Sequence, residues 1–164
     1  MRLSRLWKLS IFVILTGVVA LGIVACSGGN STQTLIVDAN TVIGSEGAKS
    51  PEDVCVISSR FQQGESVVWR IKVYDPTTGN TMDDKALDSV VVTLEDGQSF
   101  NALYGGHPGS NPLDFFWTAD WEIPQNYPTG SAPYQVTATS NDGRTGTFSE
   151  FNVAPSLLTV VTAQ

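Results

Sequence analysis

The sequence predicts an all-β domain built as a two-layer sandwich, and two features of the chain from position 34 onward carry this prediction. Apolar and polar residues alternate with a period of two, as in strands that have one buried and one solvated face. Turn-forming residues recur about every ten positions, which is typical of β-sandwiches of about 7–9 strands. No window of about eleven or more residues shows the apolar stripe of a helix.

The strands are clearest in the middle of the domain. Residues 66–75 alternate strictly, and the run 75–80 after them is rich in turn-forming residues. The next strand is expected over 89–95, where Asp96-Gly97 favours a tight hairpin turn into a short return strand over 98–104. The side chains expected to face the core of these two long strands are Val67, Trp69, Ile71, Val73, Val90, Val92 and Leu94.

The second half of the domain follows the same alternation after an interruption. Residues 105–112 (GGHPGSNP) predict a loop, because glycine and proline interrupt regular structure. Residues 114–123 resume the pattern, so that Phe115, Trp117 and Trp121 are expected to face inward and Phe116 outward. Further strands are expected over 35–43, 54–58, 134–139, 145–153 and 157–162.

Several short runs between residues 55 and 155 resemble immunoglobulin-like domains. In that class a strand ends near a proline, a glycine turns the corner, and Tyr-x-Val-x-Ala opens the penultimate strand before a hairpin. The corresponding runs here are Phe61-x-x-Gly64-Glu65, Ile123-Pro124, Pro128-Thr129-Gly130, Tyr134-Gln135-Val136-Thr137-Ala138 and Asn141-Asp142-Gly143. The resemblance implies an immunoglobulin-like β-sandwich without the paired core cysteines of antibody domains, and it implies nothing about function.

Residues 1–25 differ in kind from the rest of the chain. Arg2, Arg5 and Lys8 form a positive region, and residues 9–25 are apolar and uncharged, which predicts a signal or anchor helix. The length of this apolar stretch lies between that of a signal peptide and that of a membrane span, so an uncleaved transmembrane anchor stays an alternative. In both interpretations the positive residues stay on the cytoplasmic side of the membrane and the domain is exported.

The end of this segment resembles the lipobox of bacterial lipoproteins. Ile23-Val24-Ala25-Cys26 supplies a branched apolar residue, a tolerant position, a small residue and then cysteine. The resemblance implies lipidation of Cys26 and cleavage after Ala25, so that residues 1–25 are a signal peptide. Residues 26–33 are small and polar and predict a flexible tether, which leaves 34–164 for the sandwich domain.

The predicted lipid on Cys26 also sets the expected location, which is the extracytoplasmic side of a membrane. In a Gram-negative host this means the outer membrane, and otherwise the outer face of the cytoplasmic membrane. From Cys26 onward the chain has six basic and sixteen acidic residues, a net charge of 6 − 16 = −10. A domain this acidic repels phosphate backbones, so nucleic acid is excluded as a partner. The expected partners are the membrane, through the lipid, and an envelope protein.

Catalytic chemistry has few candidate residues. His107 is the only histidine, and the sequence has no nucleophile elbow, zinc-binding helix motif or phosphate-binding glycine loop. The sequence therefore predicts no enzyme, no cofactor and no metal site. Cys55 alternates with Val54 and Val56 and is expected to be a small buried apolar residue, the alternative being a disulfide to a partner.

Aromatic residues concentrate between positions 100 and 128, among glycine, proline and asparagine. Such side chains offer large, rigid apolar contact areas, so this stretch is the candidate binding surface. Core packing is the alternative for Trp117 and Trp121, and a loop position without a role is the alternative for His107. The candidate residues are Tyr104, His107, Phe116, Trp117, Trp121 and Tyr127.

The function predicted from these features is a non-enzymatic protein-interaction or structural module, acting as an accessory subunit of an envelope complex. A carbohydrate- or small-ligand-binding module that uses the same aromatic residues is the alternative. Exposed, coplanar indole rings at Trp117 and Trp121 favour sugar binding, whereas burial of both favours the interaction module.

Overall fold

A computed structural model describes residues 34–45, 54–107, 111–151 and 157–164. The predicted signal helix, Cys26 and the tether lie outside the described residues. Within these ranges the chain forms eleven strands and no helix, which confirms the all-β prediction. The number of strands exceeds the prediction of about 7–9, because the chain also forms strands of only two or three residues. Accordingly, these same ranges contain no helix that is long and apolar enough to span a membrane.

The eleven strands are two to nine residues long. They are β1 (Ile36–Ile43), β2 (Arg60–Gln62), β3 (Ser66–Tyr74), β4 (Leu87–Leu94), β5 (Ser99–Asn101), β6 (Leu103–His107), β7 (Asp114–Glu122), β8 (Gly130–Ser131), β9 (Tyr134–Ser140), β10 (Thr145–Ser149) and β11 (Thr159–Val161).

Two four-stranded antiparallel sheets form the body of the domain. Sheet I has the strand order β1-β3-β7-β6, and sheet II has the order β10-β9-β4-β5. A small third sheet has the order β2-β11-β8, with β2 and β11 parallel to each other. The two larger sheets correspond in strand order to the ABED and GFC sheets of immunoglobulin-type sandwiches, with β5 added beside β4.

The core lies between the inner faces of sheets I and II, and the alternation of β3 and β4 predicted its members. Trp69 lies at its centre with no exposed surface, and its ring packs against Phe100, Trp121 and Tyr134 at centroid distances of 5.6, 6.4 and 5.7 Å. The other predicted inward residues of β3 and β4 are also buried: Val67, Ile71, Val73, Val90, Val92 and Leu94.

The two sheets join along one edge, where β1 meets β10. The backbone nitrogen of Leu35 donates a hydrogen bond to the carbonyl oxygen of Thr145 over 2.9 Å. A Cβ at Gly146 would overlap the carbonyl oxygen of Leu35, so only glycine allows the two strands to come this close. On the opposite edge, the chain passes from β5 in sheet II to β6 in sheet I through Ala102.

Three expectations about local structure are wrong. The predicted return strand over 98–104 is divided between the two sheets, because β5 pairs with β4 and β6 pairs with β7. Residues 105–107 belong to β6 instead of a loop, since their pairing with β7 continues to His107. Residues 54–58 make only an isolated bridge from Ile57 to Val42 and form no strand.

Cys55 is exposed, which corrects the expectation that it is buried. Its backbone nitrogen donates to the carbonyl oxygen of Ile43 over 2.8 Å, and the nitrogen of Ile43 donates to Val56 over 3.0 Å. These bonds close a turn in which Cys55 adopts a φ of 67°. Because the residue lies in this turn and not in a strand, the alternation with its valine neighbours does not direct its side chain inward.

Candidate functional site

The six predicted binding residues do not form one surface. Strand β7 places Phe116 and Trp117 on opposite faces of sheet I, because successive side chains of a strand point to opposite sides. The structure divides the six into three contact groups, which are Trp121 with Tyr127, Trp117 with Tyr104, and Phe116 with His107.

Trp117 and Trp121 belong to the core, as the packing interpretation expected. Their exposed fractions are 6% and 4%. The indole nitrogen of Trp117 donates a hydrogen bond to the carbonyl oxygen of Met82 over 3.1 Å, and the ring of Trp121 stacks on that of Trp69. Neither ring offers a face to solvent, so these two residues provide no platform for a sugar.

Tyr127 closes one end of the core. Its ring meets Trp121 edge-on at 4.8 Å, and its hydroxyl donates to a carboxylate oxygen of Asp96 over 2.9 Å. Its carbonyl oxygen accepts a hydrogen bond from the side chain of Gln63 over 2.6 Å. Burial, followed by the bond to Asp96, raises the pKa of Tyr127 to about 12. These contacts make Tyr127 a residue that ties the 124–133 connection to the hairpin after β4.

Phe115 is 48% exposed, which corrects its predicted inward burial beside Trp117. It lies near the end of the β6–β7 pair, one residue from the last paired residue of β7. Its ring packs against Tyr104 at 5.9 Å and over Gly106, whose missing side chain makes room for it and for Leu113. Leu113 is itself 51% exposed. We call Tyr104, Gly106, Leu113 and Phe115 the apolar end.

Phe116 lies on the outer face of sheet I and is only 5% exposed, which corrects the expectation of an exposed ring. The imidazole of His107 stacks on its ring with centroids 3.8 Å apart and planes 7° apart. The guanidinium carbon of Arg70 lies 4.7 Å from the centroid of the same ring. Two neighbouring strands, β6 and β3, therefore cover the phenyl group from solvent.

An open cavity of about 470 Å³ occupies this outer face. Strand pairing assembles it, since Arg70 on β3 lies opposite Asn40 on β1 and Thr118 on β7. We call it the outer cavity, and its lining comes from four strands and the turn around Cys55: Val42, Ile43, Gly44, Ser45, Val54, Cys55, Val68, Arg70, His107, Asp114, Phe116 and Thr118.

The charged groups of the outer cavity differ in their pairing. The ammonium group of Lys72 contacts both carboxylate oxygens of Asp114, over 2.9 and 3.0 Å, and this hydrogen bonding lowers the pKa of Asp114. No carboxylate of the described residues lies within ion-pair distance of Arg70. Burial, followed by the positive charge of Arg70, lowers the pKa of His107, while Asp114 opposes this shift. The imidazole is therefore neutral at pH 7.

The sequence pattern does not single out Arg70, the one cation of the cavity without a carboxylate partner in the described part of the chain. Alternation places Arg70 on the face of β3 opposite to Trp69, but only the pairing of β3 with β7 brings it to Phe116. As for metals, the described residues contain no group of three or more His, Cys, Asp or Glu side chains placed to hold an ion.

Comparisons with known proteins find likeness among solved structures. No protein-family model matches the chain, and no curated protein matches it. Among solved structures, the chain is similar to one described as "GspB Siglec domain", with 12% sequence identity and a TM-score of 0.42. The match covers 80% of this chain and 58% of that structure's chain, so this chain spans less than two thirds of its length.

Proposed function

We propose that the chain is an extracytoplasmic lipoprotein whose immunoglobulin-like sandwich serves as a non-enzymatic protein-interaction module. It would act as an accessory subunit of an envelope complex. The observation that carries this proposal is the apolar end, where Leu113 and Phe115 expose about half of their surface side by side. Exposed apolar side chains that cluster, rather than occur singly, mark surfaces that a partner covers.

The backbone next to the apolar end supports the same proposal. Strand β6 is the last strand of sheet I, so one side of its backbone has no neighbouring strand within that sheet. A strand edge of this kind is a template for pairing with another chain. A partner that paired with β6 would also bury Phe115, and a buried aromatic side chain is the usual energetic centre of a protein interface.

The burial of Trp117 and Trp121 favours the interaction module over a sugar-binding surface. Sugar recognition by stacking needs an aromatic face that is open to solvent, and both indole rings are covered. The aromatic group of the apolar end offers one exposed ring, that of Phe115, with Tyr104 tilted by 31° behind it. This arrangement is better suited to contact with an apolar protein surface than to stacking against a sugar ring.

The membrane contact is proposed to be the lipid on Cys26. The domain itself is a poor membrane ligand, because its negative charge repels anionic head groups. Several acyl chains, each contributing about 0.8 kcal/mol per buried CH₂, hold a protein at a bilayer without help from the domain. Residues 26–33 then act as the tether that lets the apolar end reach its partner.

Site-specific photocrosslinking in intact cells tests the docking surface. The full-length protein carries a photoreactive amino acid at Phe115 or, as the control, at Ile36, which is 53% exposed on β1 at the opposite edge of sheet I. We expect one discrete adduct from position 115, lost when Leu113→Asp is added, and none from position 36. The docking proposal is wrong if position 115 gives no adduct or the same adduct as position 36.

Metabolic labelling with an alkyne fatty acid tests the anchor. Cys26→Ser should abolish labelling and release the protein from membranes, whereas Cys55→Ser, which changes the only other cysteine, should do neither. A Cys26→Ser protein that still carries label would refute the assignment of the lipidated residue.

A further inference from the structure

We propose that the outer cavity is a second binding site, which takes a small molecule that joins one carboxylate to an apolar body. Arg70 would bind the carboxylate, and the aliphatic side chains of Ile43, Val54 and Val68 would contact the apolar body. This site goes beyond the protein-docking function, because the apolar end contributes no residue to it.

The apolar part of the ligand follows from the lining of the cavity. The cavity takes its accessible aliphatic surface from the half-buried Ile43, Val54 and Val68. Its volume, about 470 Å³, is within the range of sites that enclose small organic molecules. Fully hydrated ions gain little from such a surface, so the ligand must carry an apolar group of its own.

The carboxylate follows from the state of Arg70. Its guanidinium lies over the Phe116 ring, and none of the described carboxylates forms an ion pair with it. The other cation nearby, Lys72, is already neutralised by the two oxygens of Asp114. A guanidinium presents parallel N–H donors that match a carboxylate, and such bidentate pairs are among the strongest hydrogen bonds in proteins.

The stack around Phe116 holds Arg70 ready for a ligand. His107 and Arg70 both contact the phenyl ring, so the ring and the guanidinium are positioned before any ligand arrives. Pre-ordered groups lose little conformational entropy on binding. Asp114 also lines the cavity, but its carboxylate is paired with Lys72. Salt at physiological strength screens the negative charge of the rest of the domain beyond about 8 Å. Contact with Arg70 therefore decides the selectivity.

The chain's single histidine provides a direct readout of occupancy. His107 lines the cavity, and its pKa is measurable by NMR because no other imidazole signal overlaps it. In the unliganded site, burial and then the charge of Arg70 lower this pKa, and Asp114 raises it. A bound carboxylate and its neutral amide bury the imidazole alike, but only the carboxylate adds a negative charge, so the pKa of His107 should be higher with the carboxylate than with the amide.

Two matched probes, 3-phenylpropionate and its neutral amide 3-phenylpropionamide, test the proposal on the full-length protein in detergent. We expect saturable shifts of the His107 signals with the carboxylate and a His107 pKa that is higher with the carboxylate than with the amide. The amide should bind at least about tenfold more weakly, since hydrogen bonds to charged groups contribute roughly 1.5–3 kcal/mol. Equal affinity for both probes, or no saturable binding of the carboxylate, overturns the proposal.

The variant Arg70→Gln tests whether the side chain of Arg70 causes the preference for the carboxylate over the amide. This variant should bind both probes equally, while Arg60→Gln, an exposed position on β2 outside the cavity, should keep the preference for the carboxylate. An Arg70→Gln protein that still prefers the carboxylate overturns the assignment, and if that variant fails to fold, the comparison of probes on the unaltered protein decides. A negative result in these binding experiments does not affect the crosslink expected at Phe115, so the two proposals can be refuted independently.

Discussion

Trp69 and Trp117 are both buried, but their indole nitrogens have different surroundings. The same substitution should therefore change the free energy of unfolding by different amounts at the two positions. The indole nitrogen of Trp117 donates to Met82, whereas the buried indole nitrogen of Trp69 has no hydrogen-bond acceptor among the described residues. Replacing either residue by phenylalanine removes the indole N–H and part of the ring. We expect Trp117→Phe to lower the free energy of unfolding more than Trp69→Phe.

The magnitude follows from hydrogen-bond energetics. Both substitutions remove the same atoms from a buried site, so the cost of the cavity largely cancels in the comparison. Trp117→Phe loses a hydrogen bond that contributes ~1 kcal/mol, whereas Trp69→Phe removes an unpaired donor whose burial costs ~1–3 kcal/mol. The two free energies of unfolding should therefore differ by about 2–4 kcal/mol, with Trp117→Phe the less stable variant.

Urea denaturation followed by far-ultraviolet circular dichroism measures this difference without relying on tryptophan fluorescence. With a urea dependence of about 2 kcal/mol per molar, the midpoints should be about 1–2 M apart. Trp69→Ala serves as the reference for loss of the whole ring and should cost ~3–5 kcal/mol. Equal midpoints, or a lower midpoint for Trp69→Phe, would show that the missing partner of Trp69 has no energetic consequence.

Three further predictions concern other parts of the domain. Gly146→Ala should lower the thermal unfolding midpoint markedly in calorimetry, because its Cβ would overlap the carbonyl oxygen of Leu35; an unchanged midpoint would contradict the close approach of β1 and β10. Hydrogen bonding to Arg144 lowers the pKa of Asp75 from 3.8 to about 2, so this group stabilises the fold above pH 3.8 and stops doing so as the pH falls through 2. The difference in unfolding temperature between the native protein and Arg144→Gln should therefore be largest above pH 4 and shrink toward pH 2, and a difference independent of pH would refute this origin. Cys55 should react with a maleimide in the folded protein, measured by mass spectrometry, and reaction only after unfolding would restore the buried assignment.

Alternation alone determined which residues of the long strands build the core. Val67, Trp69, Ile71 and Val73 were assigned to the core from their spacing, and all four are buried. A strand that crosses the middle of a sandwich is covered along its whole inner face, so side-chain parity and burial coincide there. The all-β class and the hairpin turn at Asp96-Gly97 were predicted from the same kind of local information.

The tertiary structure alone decided the burial of Phe115 and Phe116, which reverses what their parity predicts. The alternation predicts on which face of a sheet a side chain lies. Its burial depends on which other residues cover that face at that position along the strand. Phe115 lies near the end of the β6–β7 pair and stays half exposed, while His107 and Arg70 cover Phe116 from neighbouring strands. The outer cavity arises in the same way, because its lining residues come from strands far apart in the chain, and only strand pairing brings them together.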